Sequence, residues 1–382
     1  MAFDPRIAGV ATAGFCAFVN LYSPQALLPE LAREFGAGAG EISSLMTAGT
    51  AAIALTAPLA GALADVVGRK RLIATAMFAV VVPMLIMTVV HSVPALSFWR
   101  FVQGLLLPPI FTVAVAYIGD EWPPGDVARV AGIYISGCSV GGFSGRFIPG
   151  VFADLIGWRA AFGVVALLTI IAAVIATFSL ARERHFVRSG GLAKSLRQMV
   201  RHLRDPQLLA TYAIGFGVLF NFIDTFTYVS FHLAAPPYLF SPTLLGALFL
   251  TYLVSSVVVP WVGRAIALFG RRRFVLGVIA AWVIGILLML APPVAVILTG
   301  LTLCAVCGMV CQAVATGYVT MTAAEGRSSA VGLYGSIYYI GGSAGAFLGG
   351  IAWNAAGWAG CVATIVAMQA IMAGIVAVAW EK

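Results

Sequence analysis

The chain has 382 residues, 61% of them hydrophobic and only 9% charged, with a mean hydropathy of +1.01. No soluble domain of this size carries that balance. The net charge of +8 therefore concerns orientation in a membrane, not nucleic acid, and no segment outside the apolar runs is large enough to fold as a catalytic domain.

A membrane-crossing helix takes about 20 mainly apolar residues. Twelve such runs follow one another, approximately 8–28, 42–64, 72–90, 95–118, 128–152, 159–181, 207–233, 243–262, 273–291, 294–320, 328–352 and 357–380, here numbered spans 1 to 12. Gly and Pro recur inside them, which lipid-embedded helices tolerate. The opening Met-Ala-Phe-Asp-Pro carries no basic stretch, which argues against a cleaved signal peptide. Basic residues crowd alternate loops: Arg6, Arg69–Arg71, Arg129, the loop 182–206, Arg264, Arg271–Arg273, Arg327 and Lys382 fall on one side, and only Arg33 and Arg159 on the other. Positive charge stays inside, so both termini are expected in the cytoplasm.

Between spans 2 and 3 stands Gly61-Ala-Leu-Ala-Asp65-Val-Val-Gly68-Arg69-Lys70-Arg71, a sharp basic turn with one carboxylate at a helix end. A degenerate copy, Gly263 to Arg273, follows two hundred and two residues later with Ala267 in the place of Asp65. At an offset of two hundred, Tyr134, Gly141-Gly142, Gly145, Gly150 and Gly157-Trp158 meet Tyr334, Gly341-Gly342, Gly345, Gly350 and Gly357-Trp358. Such internal repetition is the mark of carriers built from two related halves. The expected division is residues 1–181, a cytoplasmic linker 182–206, and residues 207–382. The linker, with a short amphipathic helix around Leu192–Leu203, is expected at the inner membrane surface, drawn to anionic lipid.

Cys304, Cys307 and Cys311 share one helix face, where a soft-metal site is conceivable. No His or acid joins them, and close helix packing is the expected role, with no metal and no cofactor.

The whole chain resembles a twelve-helix member of the major facilitator superfamily. Gly61–Arg71 matches that family's signature turn between helices 2 and 3. Arg100-Phe-Val-Gln103-Gly104 resembles the R-x-x-Q-G motif of its drug/proton antiporters. Gly137-Cys-Ser-Val-Gly141-Gly142 resembles their G-P-x-x-G-G motif, with Cys138 in place of the proline, and the run on to Arg146 resembles a little-characterised branch of bacterial efflux proteins. The resemblance implies an all-α integral membrane fold of two pseudo-symmetric six-helix bundles. It implies a secondary transporter of the bacterial inner membrane that works by alternating access, a monomer among membrane lipids, with protons and a small molecule as its partners. The expected mode is proton-coupled efflux of a small, partly apolar organic compound. An importer of a sugar or organic acid, and a non-transporting sensor, are the alternatives. No nucleophile–base pair, metal-ligand spacing or nucleotide loop suggests an enzyme.

By the same resemblance, Asp65 braces the start of span 11 and Arg69 pairs with Asp120 or Glu121, while Gly61 and Gly68 permit close contact and a tight turn. Gly137, Gly141, Gly142 and Gly145 form a small-residue seam expected between the bundles. Ionisable groups inside a membrane are usually functional, which singles out Arg100, Arg146 and Asp224 as a proton-coupling network. Spans 1, 4, 7 and 10 line the cavity of the resembled fold, so Asn20, Tyr22, Gln25, Gln103, Asn221, Tyr228 and Gln312 are the candidate substrate contacts. The absence of a basic pair among them argues against a phosphate or dicarboxylate substrate.

Overall fold

The computed structural model describes residues 4–183, 192–323 and 326–380, and all regular structure among them is helical. Span 1 is α1 (Pro5–Tyr22), a 3-10 turn at Gln25–Leu27 and α2 (Leu28–Phe35). Span 2 is α3 (Ala39–Ile42) with α4 (Ser44–Val67), span 3 is α5 (Arg69–Met87), and span 4 is α6 (Val93–Leu106) with α7 (Pro108–Glu121). Spans 5 and 6 are α8 (Pro124–Ile156) and α9 (Trp158–Ser179). The linker carries α10 (Leu192–His202), and span 7 is α11 (Pro206–Ala234). Span 8 is broken into α12 (Pro242–Ala247), α13 (Thr251–Val258) and α14 (Val262–Phe269), with 3-10 turns between them. Spans 9 and 10 are α15 (Arg271–Leu288) and α16 (Val294–Thr322). Spans 11 and 12 run together as α17 (Arg327–Ala379), divided by non-helical backbone at Ala356 and Gly357.

Nine of the described stretches are long and apolar enough to cross a membrane by length and composition. α8, diluted by glycine and Arg146, and α15, which opens on three arginines, fall outside that measure; with them, and with α17 divided, the twelve spans are accounted for. Four spans expected as continuous are interrupted. Pro24, Pro108 and Pro260 stand at breaks in spans 1, 4 and 8, and each removes a helix hydrogen bond; the break at Ser43 in span 2 and the 3-10 turn Leu248–Leu250 in span 8 have no proline.

Chain starts and corners repeat with the sequence. Asp4 and Asp205 each cap the helix that follows, accepting from Arg6 N at 3.0 Å and from Gln207 N at 2.9 Å, with Pro5 and Pro206 at the first helical position. The Arg6 guanidinium beside Asp4 holds that carboxyl below its ordinary range. Gly68 and Gly270, at φ 92° and 76°, and Gly157 and Gly357, at φ 86° and 59°, make the corners between spans. An L side chain is strained at these angles, so glycine stands at both copies of each corner.

Two compact units result. The first holds Met1–Ala37, Ala48–Leu192 and Phe240–Ala247; the second holds Gly38–Thr47, Ala193–Leu239 and Leu248–Lys382. In the first unit α1 packs on α8 and α9, and α5 on α9. The small-residue seam lies inside this unit: a Cβ at Gly137, Gly141 or Gly145 would overlap the backbone of Ala11, Phe15 or Val19 on α1. The expectation of a seam between bundles is corrected accordingly, because four-residue spacing on both helices lets their backbones meet directly. Gly142 faces elsewhere, toward Arg146 and Tyr22. The second unit repeats the device, with Gly341 and Gly345 against Phe216 and Phe220 of α11.

Two further joints hold short segments in place. In the first unit Asp154 Oδ2 accepts from Thr243 N at 2.9 Å, capping the start of α12. In the second unit α10 docks on the start of α17: Ser329 Oγ donates to Gln198 Oε1 at 2.9 Å, and His202 Nε2 lies 3.3 Å from the Gly326 carbonyl.

Candidate functional site

The signature turn is built around Gly68, whose positive φ reverses the chain and leaves the first amides of α5 without helix partners. Glu183, just beyond α9, fills that gap: its Oε1 accepts from Lys70 N at 2.8 Å. A carboxylate at a helix N-terminus is favoured by both the amide and the helix dipole. Arg69 reaches across to Asp120 at the end of α7, Nη2 to Oδ2 2.6 Å, with the guanidinium only 11% exposed. Asp65 and Glu121 lie close enough for their charges to act on Asp120. The expected Arg69 pairing is thus formed, with Asp120. Gly61 departs from expectation: no described atom lies within 4 Å of where its Cβ would stand, so it serves no close contact here.

The second-half turn is different in kind. Arg271 lies over the Tyr318 ring, 4.1 Å from its centroid, and its Nη2 is 3.8 Å from Met321 Sδ. Among the described residues no ion pair joins Arg271, Arg272 or Arg273 to a carboxylate.

Inside the first unit the polar side chains form one knot around the break in span 1. Arg100 is 1% exposed. Its Nη1 donates to the Asn20 carbonyl at 3.0 Å and to Gln103 Oε1, and its Nη2 donates to the Leu21 carbonyl at 2.7 Å. Those carbonyls are the orphaned end of α1, where a cation meets the negative pole of the helix. Gln103 Nε2 donates to Asn20 Oδ1 at 3.0 Å, and Asn20 Nδ2 donates to Thr169 Oγ1 at 2.8 Å. One turn further, Arg146 Nε donates to Gln25 Oε1 at 2.8 Å, Nη1 donates to the Gly142 carbonyl at 2.9 Å, and the guanidinium lies 3.6 Å from the centre of the Tyr22 ring. Both arginines therefore hold span 1 where its own hydrogen bonding stops. Of the substrate candidates in this unit, Asn20, Gln25 and Gln103 are fully buried, Asn20 and Gln103 engaged with each other and Gln25 with Arg146, and Tyr22 stays partly exposed.

The second unit places Asp224 in the middle of α11 with 0% exposure. It faces Gly349 of α17 and the Cys361 thiol. That thiol lies 3.5 Å from the Gly349 carbonyl, and neither Asp224 oxygen meets a hydrogen-bond partner in distance and angle among the described residues. Arg100 and Arg146 belong to the first unit and Asp224 to the second; within their own unit the guanidiniums serve carbonyls and amides of span 1 and its neighbours, and among the described residues no ion pair involves Asp224. Tyr228 donates to the Ala346 carbonyl at 2.6 Å, and Asn221 donates to the Gly217 carbonyl at 2.8 Å. Gln312 is partly exposed on α16. Cys304, Cys307 and Cys311 are buried, and no cluster of metal-ligand type occurs among the described residues.

Reading the sequence missed Glu183, Asp154 and Cys361. The first two are caps supplied from distant helices, and their only sequence signal is an acid just outside or at the end of an apolar run. Cys361 carries no signal at all.

A family model described as Major Facilitator Superfamily matches residues 10–261. The inner membrane transport protein YnfM of Escherichia coli (strain K12) is 31% identical over 94% of this chain and 87% of its own. The uncharacterized MFS-type transporter YybF of Bacillus subtilis (strain 168) is 30% identical over 93% and 88%. A solved bacterial homolog of the human lysosomal transporter Spinster superposes with a TM-score of 0.82, covering 98% of this chain and 96% of its own, at 14% identity, a likeness of fold alone. Twelve apolar spans, the repeated basic turns and these matches lead to one family: the chain belongs to the major facilitator superfamily and is a multi-pass membrane transporter, not an enzyme.

Proposed function

We propose that this transporter couples proton movement to the export of small, partly apolar organic compounds across a bacterial inner membrane, with both termini in the cytoplasm. The carrying observation is Asp224, a carboxyl with 0% exposure and no hydrogen-bond partner for either oxygen among the described residues. An ionised carboxylate in such a place is costly, which makes Asp224 the proton carrier of the proposed cycle, reached by water in turn as access alternates. Arg100 and Arg146 support the cycle by keeping the break in span 1 in shape, and Asp65 with Arg69 supplies the gate that the signature turn implies. Tyr22 and Gln312, the partly exposed members of the candidate set, are the first contacts assigned to substrate. The engagement of both buried guanidiniums by carbonyls and amides favours an uncharged or cationic, largely apolar compound over an anion.

The test is uptake of an apolar cationic dye by everted membrane vesicles carrying the protein, energised with an acid interior. Gradient-dependent accumulation by the native chain is expected. Asp224→Asn abolishes accumulation while dye exchange without a gradient persists. Uphill transport by the Asp224→Asn protein would place the proton site elsewhere.

A further inference from the structure

The two copies of the basic turn have kept their arginines and parted in their acids. In the first copy Arg69 pairs with Asp120, with Asp65 beside them, and Glu183 caps the helix. In the second copy Ala267 takes the place of Asp65, and Met321 lies against Arg271 where the first copy has Asp120 against Arg69. Three consecutive arginines are left without an ion pair among the described residues.

Beside this turn, within the second unit, α14 packs on α15 and α13 on α16. Span 8 is broken between α13 and α14 by the 3-10 turn Val259–Trp261. The result is an open-sided cleft of about 400 Å³ lined by Val258, Phe269, Gly277, Val278 and Val310, with Arg273 at one end. Apart from that arginine and the Cys307 thiol the lining is apolar. From Arg273 to Ala281 the cleft follows α15 for roughly 12 Å at ~1.5 Å per residue. One leaflet of hydrocarbon is about 15 Å deep. The cleft thus spans most of a leaflet, and its one charged end sits at the terminus of a spanning helix, where headgroups lie.

We propose that this cleft is a binding site for an anionic membrane phospholipid, with an acyl chain along Gly277 and Val310 and the phosphate on Arg273. Three features support one occupant. The walls are apolar over acyl length. The cation stands at headgroup depth. No ion pair of the protein's own engages Arg273 among the described residues. A guanidinium takes a phosphate oxygen pair in a geometry that no neutral side chain of the cleft offers.

Native mass spectrometry of the full-length protein in detergent, with dioleoyl phosphatidylglycerol or dioleoyl phosphatidylcholine added, tests this binding independently of transport. The native chain is expected to retain the anionic lipid in preference. Arg273→Gln lowers that retention by about fivefold, the factor one basic residue carries at an anionic surface. Gly277→Leu fills the cleft and lowers it as well; no described atom lies within 4 Å of the Gly277 Cβ position, so the substitution is accommodated in the fold. Arg264→Gln, on a guanidinium that rests on Trp261 and is not part of the cleft lining, leaves retention unchanged. Equal retention of the two lipids by the native chain overturns the proposal. So does unchanged retention in Arg273→Gln. Loss in Arg273→Gln with native retention in Gly277→Leu overturns it too, since the headgroup would then bind without the cleft.

Discussion

Arg100 and Asp224 are both buried to within 1% of full occlusion, yet their surroundings are opposite. Arg100 meets two main-chain carbonyls and an amide, and so completes a helix that a proline interrupts. Asp224 meets a glycine, a thiol and hydrocarbon. Substitution should separate them cleanly. Arg100→Gln leaves the Asn20 and Leu21 carbonyls without donors and is expected to lower stability by about 2–3 kcal/mol, read as a fall in the thermal midpoint of the purified protein. Arg100→Lys does not restore it, because an ammonium cannot reproduce the planar fork. Asp224→Asn is expected to unfold no earlier than the native chain while losing proton-driven transport. The positions of both residues were legible in the sequence, since a charge in an apolar run stands out. Their partners were not, because a carbonyl at a helix break and a thiol on span 12 leave no trace in spacing.

At the scale of helices, the glycine rows decide which elements touch. Four-residue spacing on α8 meets four-residue spacing on α1, and backbone rests on backbone. Gly141→Ala must push Phe15 aside and is expected to cost about 1–3 kcal/mol. Gly132→Ala, in the same helix with no described atom within 4 Å of its Cβ position, is expected to be neutral or to gain up to ~1 kcal/mol. Equal midpoints for the two variants would remove the packing role. The stripe itself was plain in the sequence, but a row of small residues announces a close approach without saying to what, and the seam fell inside the first unit. Helix starts give a pH-dependent check. Asp4 caps α1 and its carboxyl is held low by Arg6. Its stabilisation is therefore present above the ordinary carboxylate range and lost as pH falls through the depressed value. Asp4→Ala should cost about 1 kcal/mol at neutral pH, and the gap to the native chain should close in acid.

For the whole molecule, twelve spans and an internal repeat were legible because apolar length and glycine periodicity are written directly in the residues. The substrate was not, since most polar side chains that looked available are engaged within the fold, by an arginine, a backbone carbonyl or one another. The repeat is imperfect at the basic turn. Asp65 and its surrounding charges survive in one copy only, so the proposed latch is one-sided. Asp65→Asn removes a charge whose interaction with a helix end is at most ~2 kcal/mol. That suffices to shift a two-state equilibrium about thirtyfold. Transport is expected to collapse while membrane insertion and thermal midpoint stay native; native turnover at all substrate concentrations would rule out the gating role.

The linker is fastened at both ends, Glu183 to the turn before α5 and Gln198 with His202 to the start of α17. Each unit thereby keeps its own length of the connecting chain as part of its fold. None of these contacts involves residues 184–191. A gene divided between codons 184 and 191 should accordingly encode two pieces that each carry a complete set of anchors, which makes this stretch the natural place to introduce a protease site, a reporter or a second start codon.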